Sequence, residues 1–147
     1  MTAERRGLAL DTSVIIAALL RWHEHHEVAK RLLNAALDEQ PAILPTRVLV
    51  ESFSVLTRSP APDRIAPAVA VAILAESLRE TTRTVDFPAG DRWRFLHEAI
   101  ADEAAGGAIY DAEIIRMAVS AGARGIVTLD RSHFERLAPP ELEVISN

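Results

Sequence analysis

Two apolar runs of the chain end in aspartate: Leu8-Ala9-Leu10-Asp11-Thr12-Ser13 and Ile126-Val127-Thr128-Leu129-Asp130. Both have the length and composition of short buried strands, and in open parallel sheets ligands bind beyond the carboxyl ends of the strands. Taken singly, either aspartate also suits the N-cap of a following helix. Two on the same rim of one sheet point to a site. Glu51 lies in Val48-Leu49-Val50-Glu51-Ser52-Phe53-Ser54-Val55-Leu56, which is apolar nearly all round and predicts a largely buried helix. Its neighbours on its own helix face are Val48 and Val55. A carboxylate there is costly unless it is paired, protonated or bound to a cation. Arg47 and Arg58 are the candidate salt-bridge partners, and a metal is the alternative. Asp111 follows Gly106-Gly107-Ala108-Ile109-Tyr110 in the first turn of another helix, where the helix dipole also favours an acid. Glu113, on the same helix, reads as solvent-facing.

Converging Asp11, Glu51, Asp111 and Asp130 would repel one another without cations. An all-oxygen ligand set in a chain with no Cys points to a hard ion, Mg²⁺ or Mn²⁺, and away from Zn²⁺. Such clusters serve in-line phosphoryl displacement, in which bound metals activate water and offset the charge on the phosphate. Thr12, Ser13 and Thr128 lie close enough in sequence to orient the carboxylates or metal-bound waters, although capping and strand hydroxyls account for them as well. In Trp22-His23-Glu24-His25-His26-Glu27, His23 and His26 have helical spacing, and a polar helix start is preferred to a second metal site. Trp22, Trp93 and Phe95 are expected in the core or at a dimer contact and not as base-stacking platforms, since nothing basic is interleaved around Trp22.

The elements that position these residues alternate in type. Strands are predicted at Gly7 to Leu10, Ala42 to Leu44, Thr84 to Phe87, Gly125 to Leu129 and, at an edge, Leu142 to Ile145. Helices are predicted at Ser13 to Leu20, Glu24 to Leu37, from the N-cap Thr46 to about Thr57, and at Ile65 to Leu78. Others run from Gly90-Asp91 to about Ala105, from Ala108 to Ala121 with Gly122 as its C-terminal cap, and from Ser132 to Leu137. Short strands alternating with longer helices define an α/β domain. Its central, mostly parallel sheet of about four to five short strands is flanked by helices on both faces, and one domain is expected to span residues 1–147.

Composition sets outer limits. With 49% hydrophobic and 25% charged residues the chain has an ordinary globular balance, and no run approaches the roughly 20 apolar residues of a membrane span. The apolar run near the start is interrupted by Asp11, so a signal peptide is not expected, and the cytoplasm is the expected location. Acids outnumber bases by 21 to 16, a net charge of -5 that at first argues against a nucleic-acid partner. Setting aside the four candidate ligands leaves 17 acids against 16 bases, so the excess is largely the candidate site itself.

Four pieces together, LDTSV, VLVESFSVLTR, GGAIYDAEIIRMAVSAGA and IVTLDRSHF, resemble the PIN-domain ribonucleases, in particular the VapC-like toxins of type II toxin-antitoxin systems. They span almost the whole chain in order. The resemblance implies the PIN fold, an acidic quartet of Asp11, Glu51, Asp111 and Asp130 binding Mg²⁺ or Mn²⁺, and endonucleolytic cleavage of RNA. It also implies a homodimer and a cognate antitoxin. Two other readings compete. A haloacid-dehalogenase-like phosphatase also has an aspartate after its first strand, but needs a second acid two residues later, where this chain has Ser13. A non-catalytic interaction domain would use the same carboxylates as caps and salt bridges. Arg21, Arg47, Arg58 and Arg131 are candidate RNA contacts by their nearness in sequence to the acids.

Overall fold

The computed structural model describes residues 4–39 and 41–147. Five strands form one sheet: β1 (Leu8–Leu10), β2 (Ala42–Pro45), β3 (Thr82–Val85), β4 (Gly125–Val127) and β5 (Glu143–Ile145), in the order β3-β2-β1-β4-β5. Every neighbouring pair is parallel. The α-helices are α1 (Thr12–Leu19), α2 (His26–Asp38), α3 (Thr46–Arg58), α4 (Pro67–Leu74), α5 (Arg92–Ala101), α6 (Ala108–Ser120) and α7 (Arg131–Leu137). A wider π turn, Ala75–Arg79, prolongs α4, and a 3₁₀ turn, Ala89–Asp91, leads into α5. Among the described residues no helix is long and apolar enough to cross a membrane.

The three central strands are apolar without alternation and buried throughout, as strands covered on both faces must be. Parallel strands need crossovers, and crossovers are right-handed. Since β1 to β2 steps one way across the sheet and β3 to β4 steps back, α2 and α6 lie on opposite faces. The two helices share β2 and β4 as packing surfaces. Leu10, Ile43, Leu44 and Ile126 from the sheet meet Val14, Ile15, Ile114 and Met117 in one core. The step direction reverses between β1 and β4, and their carboxyl ends open a crevice there. This is where the rule for open α/β sheets places a ligand.

Several expectations shift. The third strand starts and ends two residues early, because Asp86 leaves the ladder to accept the Thr46 hydroxyl (2.9 Å) and the Phe87 amide (2.7 Å). Thr46 therefore caps nothing: it is the first residue of α3 and its hydroxyl crosses to Asp86. Helix α3 is amphipathic, not buried all round, with Val48, Ser52 and Leu56 inward and Val50 63% exposed. Of the aromatics expected inside, Phe95 is buried, whereas Trp22 and Trp93 are exposed. Gly122 ends α6 as expected. At φ +79° it donates to the Val119 carbonyl while Ala123 donates to Ala118, a Schellman cap.

Gly7 admits the chain into β1 with φ +79°, and a Cβ there would stand 1.8 Å from the Pro41 carbonyl oxygen. Both the left-handed backbone and the clash penalise a side chain. Gly7→Ala should lower unfolding free energy by about 3 kcal/mol or more, read by denaturant titration. A loss below about 1 kcal/mol would show that this entry to the sheet is not constrained as described.

Candidate active site

Asp11 is the first residue beyond β1, and its amide donates to the Val127 carbonyl (3.0 Å), which ties the end of β1 to the end of β4. Its side chain is 4% exposed. It occupies the N-cap position of α1 but makes no side-chain capping bond, and the same holds for Asp130 before α7. Two hydroxyls serve the Asp11 carboxylate instead: Ser13 Oγ donates at 2.7 Å and Thr128 Oγ1 at 2.8 Å, both to Oδ2. Each hydroxyl is fixed from behind by a backbone amide, Leu129 N–H to Ser13 Oγ (3.0 Å) and Asp130 N–H to Thr128 Oγ1 (2.9 Å). The turn after β4 thereby sets the orientation of the carboxylate after β1. Oδ1 is engaged by neither hydroxyl.

Thr12 Oγ1 donates to Glu51 Oε2 (3.0 Å), holding the middle of α3 against the start of α1. Asp111 comes from the first turn of α6 and Asp130 stands exposed at the start of α7. All four acids line one cavity of about 410 Å³, together with Thr12, Ser13, His23 and His25. Among the described residues none of the four takes part in a salt bridge. Nor, among those residues, do three carboxylate or imidazole groups already stand in ligand geometry. The acids ring the cavity from four segments without touching one another.

Their proton affinities record that arrangement. Burial pushes the Asp11 carboxyl up, against the pull of the Ser13 and Thr128 hydroxyls, and the charge of Asp130 adds to the rise. Glu51 is raised by burial first, with Thr12 and Arg47 drawing it back and Asp11 and Glu113 raising it further. Asp111 is raised to about 6 by burial and then by the charge of Asp11, with Asp130 and Glu51 contributing and His133 opposing. Desolvation and mutual repulsion are what clustered, partly buried carboxylates produce. The donor set, all oxygen and without a counter-ion in contact, fits Mg²⁺ or Mn²⁺, which retains several waters and so needs few protein ligands.

Glu113 departs from the expected solvent-facing position. It is 5% exposed, not solvent-facing, and binds Arg47 and Arg92 at once. Arg92 also reaches Asp86 (3.0 Å), and Arg47 stacks on Tyr110 with its carbon 4.8 Å from the ring centroid. This network braces α3, α5 and α6 beside the cavity. It also removes Arg47 as the salt-bridge partner of Glu51. The histidine segment differs as well. His23 precedes α2, so it is His23 and His25, in the turn after α1, that line the cavity, while His26 contacts the Ala17 carbonyl through Nδ1 (2.9 Å). The sequence WHEHH carried that signal, but helical spacing paired the wrong two residues.

The PIN domain family model matches residues 8–139. The chain belongs to the PIN-domain family. It is 37% identical over 138 residues to ribonuclease VapC40 of Mycobacterium tuberculosis, an alignment covering 93% of this chain and 96% of the relative. Among solved structures it is similar to M. tuberculosis VapC20, described as a sarcin-ricin loop cleaving toxin, at a TM-score of 0.69 and 19% identity. That match covers 90% of this chain and all of the other. The VapBC2 structure from Rickettsia felis, bound to a DNA fragment from its promoter, matches at a TM-score of 0.65 and 17% identity, covering 95% and 98%. This is a VapC-type PIN fold, and the dehalogenase-like alternative falls with it.

The raised Asp111 carboxyl yields a sign-definite test. Its folded pKa of about 6 exceeds the ordinary 3.8, so the folded state holds the proton more tightly, and this group's contribution to stability falls as pH rises from about 4 to about 6. In EDTA, the melting temperature of Asp111→Asn minus that of the wild type should therefore climb across that interval and level off above it. A difference that stays flat with pH would mean that neither burial nor the neighbouring acids raises Asp111.

Proposed function

We propose that this chain is a metal-dependent endoribonuclease, the toxin of a type II toxin-antitoxin module, with residues 1–147 forming its single PIN domain. The observation that carries the reading is four carboxylates from four separate segments around one cavity at the switch point of the sheet, with neither capping bonds nor salt bridges to occupy them. That also disfavours a non-catalytic domain using the same acids as caps and ion pairs.

Asp11, Glu51, Asp111 and Asp130 would hold Mg²⁺ or Mn²⁺. When bound, the ion lowers the pKa of water and neutralises charge that develops on the phosphate. The chain's own part is positional. Ser13 and Thr128 lock the Asp11 carboxylate so that it cannot rotate away, and Thr12 does the same for Glu51. The apolar walls at Ile16, Val55 and Leu129 limit water in the cavity and strengthen every charge interaction within it. Asp130, exposed at the start of α7, would be within reach of an arriving phosphodiester, and Asp111 contributes from the first turn of α6.

Substrate contacts come from arginines not already committed. Arg47 is bound to Glu113, and Arg131 pairs with Glu135 on its own helix at 2.7 Å, whereas Arg21 and Arg58 are exposed. The partners proposed are RNA, a second copy of the chain and an antitoxin, in the cytoplasm. Two exposed apolar surfaces fit the two protein partners. One is the stripe Trp93, Leu96 and Ile100 on α5, and the other is a groove between α3 and α4 containing Val50, Phe53 and Val71.

The purified protein should cleave structured RNA with added Mg²⁺ or Mn²⁺ and stop in EDTA. Asp11→Asn should abolish cleavage, by at least about 100-fold, while its metal-free melt is equal to or higher than the wild type's. Equal cleavage by the variant and wild type would refute the site.

A further inference from the structure

The turn between α1 and α2 carries three aromatic rings in series. Trp22 lies on His23 with centroids 6.3 Å apart and planes at 29°, and His23 meets His25 at 5.8 Å and 46°. Trp22 is 59% exposed, so packing does not account for its size. His23 and His25 line the carboxylate cavity, so the series runs from solvent to the wall of the site. The turn is built, not loose. His23 donates its amide to the Leu20 carbonyl and His26 to that of His23, both at 3.0 Å, while the His25 amide donates to His23 Nδ1 at 3.1 Å. Glu24 Oε1 lies 3.3 Å from His25 Nε2, and His26 anchors the next residue to α1.

Rings held this way present π-faces at fixed heights beside a phosphate-directed site. Proteins that bind unpaired nucleic acid combine a backbone-binding centre with aromatic rings on which successive bases stack. Paired bases in an A-form helix are already stacked and offer no free face. We propose that Trp22, His23 and His25 form a stacking platform that holds nucleobases flanking the scissile phosphate. The proposal rests on the ribonuclease reading and deepens it by naming the side chains that seat those bases. The near-neutral balance outside the quartet, 17 acids against 16 bases, is consistent with it, because stacking supplies binding that a basic surface otherwise would.

Trp22 reports on its own contact. In an Asp11→Asn, Trp93→Phe chain it is the single tryptophan, and cleavage is blocked. A mixed-sequence single-stranded RNA of about 12 nucleotides, added with Mg²⁺, should quench its fluorescence, and the matching duplex should not. In the active enzyme, Trp22→Ala should raise KM about 10-fold or more with kcat nearly kept, Trp22→Phe should recover most of the loss, and both should melt like the wild type. Unchanged KM in Trp22→Ala, no quenching by the single strand, or equal quenching by the duplex would each overturn the platform. Absence of cleavage by the wild type itself would instead strike the ribonuclease reading.

Discussion

Four carboxylates around one cavity repel one another, and the rest of the site is organised around that repulsion. Two unit charges about 6 Å apart at an effective dielectric constant of about 20 repel by about 3 kcal/mol, and several such pairs would exceed what one hydrogen bond returns. The chain relieves this only at a distance, Arg47 drawing Glu51 down and His133 opposing the rise at Asp111, with no salt bridge to the quartet among the described residues. It places Arg47 and Arg92 on Glu113, two residues from Asp111, and leaves Asp11, Glu51, Asp111 and Asp130 without a guanidinium in contact. What it supplies to the quartet is neutral donors: hydroxyls at Thr12, Ser13 and Thr128. These fix geometry without cancelling charge. On the proposed reading, a cation arriving from outside would complete the charge balance of this site.

The fold provides the rigidity this demands. Asp11 and Asp130 leave adjacent parallel strands at the reversal of sheet order, and the backbone of the β4–α7 turn orients the side chain that follows β1. Glu51 and Asp111 come from α3 and α6, which the Arg47–Glu113 pair ties together. A helix that slipped by one residue would turn its carboxylate out of the cavity. The buried Glu113 therefore braces the elements that carry Glu51 and Asp111 without itself lining the cavity. Its two guanidiniums stack on Tyr110 and Phe87, which keeps the brace rigid at its partly exposed end.

Much of this is legible in the sequence because it is local. Apolar runs ending in aspartate, helical spacing around Ile114 and Ala118, and a glycine after Ala121 each declare strands, helices and caps. The quartet is legible for a related reason: Glu51 is anomalous in its apolar helix, and two strands end in aspartate on one rim. What escapes is pairing across elements. Nothing near Glu113 announces that Arg47 and Arg92, 66 and 21 residues away, will converge on it, so an amphipathic pattern reads it as solvated. Thr46 has the chemistry of a cap, and only the arrival of Asp86 from the next strand diverts it. His23 and His25 require the turn geometry before α2, which spacing alone cannot supply.

The most direct test of the central claim is a crystal of the wild-type chain grown or soaked in Mn²⁺, read by anomalous scattering. The account predicts a peak in the cavity within about 2.0–2.3 Å of carboxylate oxygens of the quartet, Asp11 among them, and its loss in Asp11→Asn. A Mn²⁺ peak that avoids these carboxylates, or no peak in crystals where the cavity is open to solvent, would contradict it.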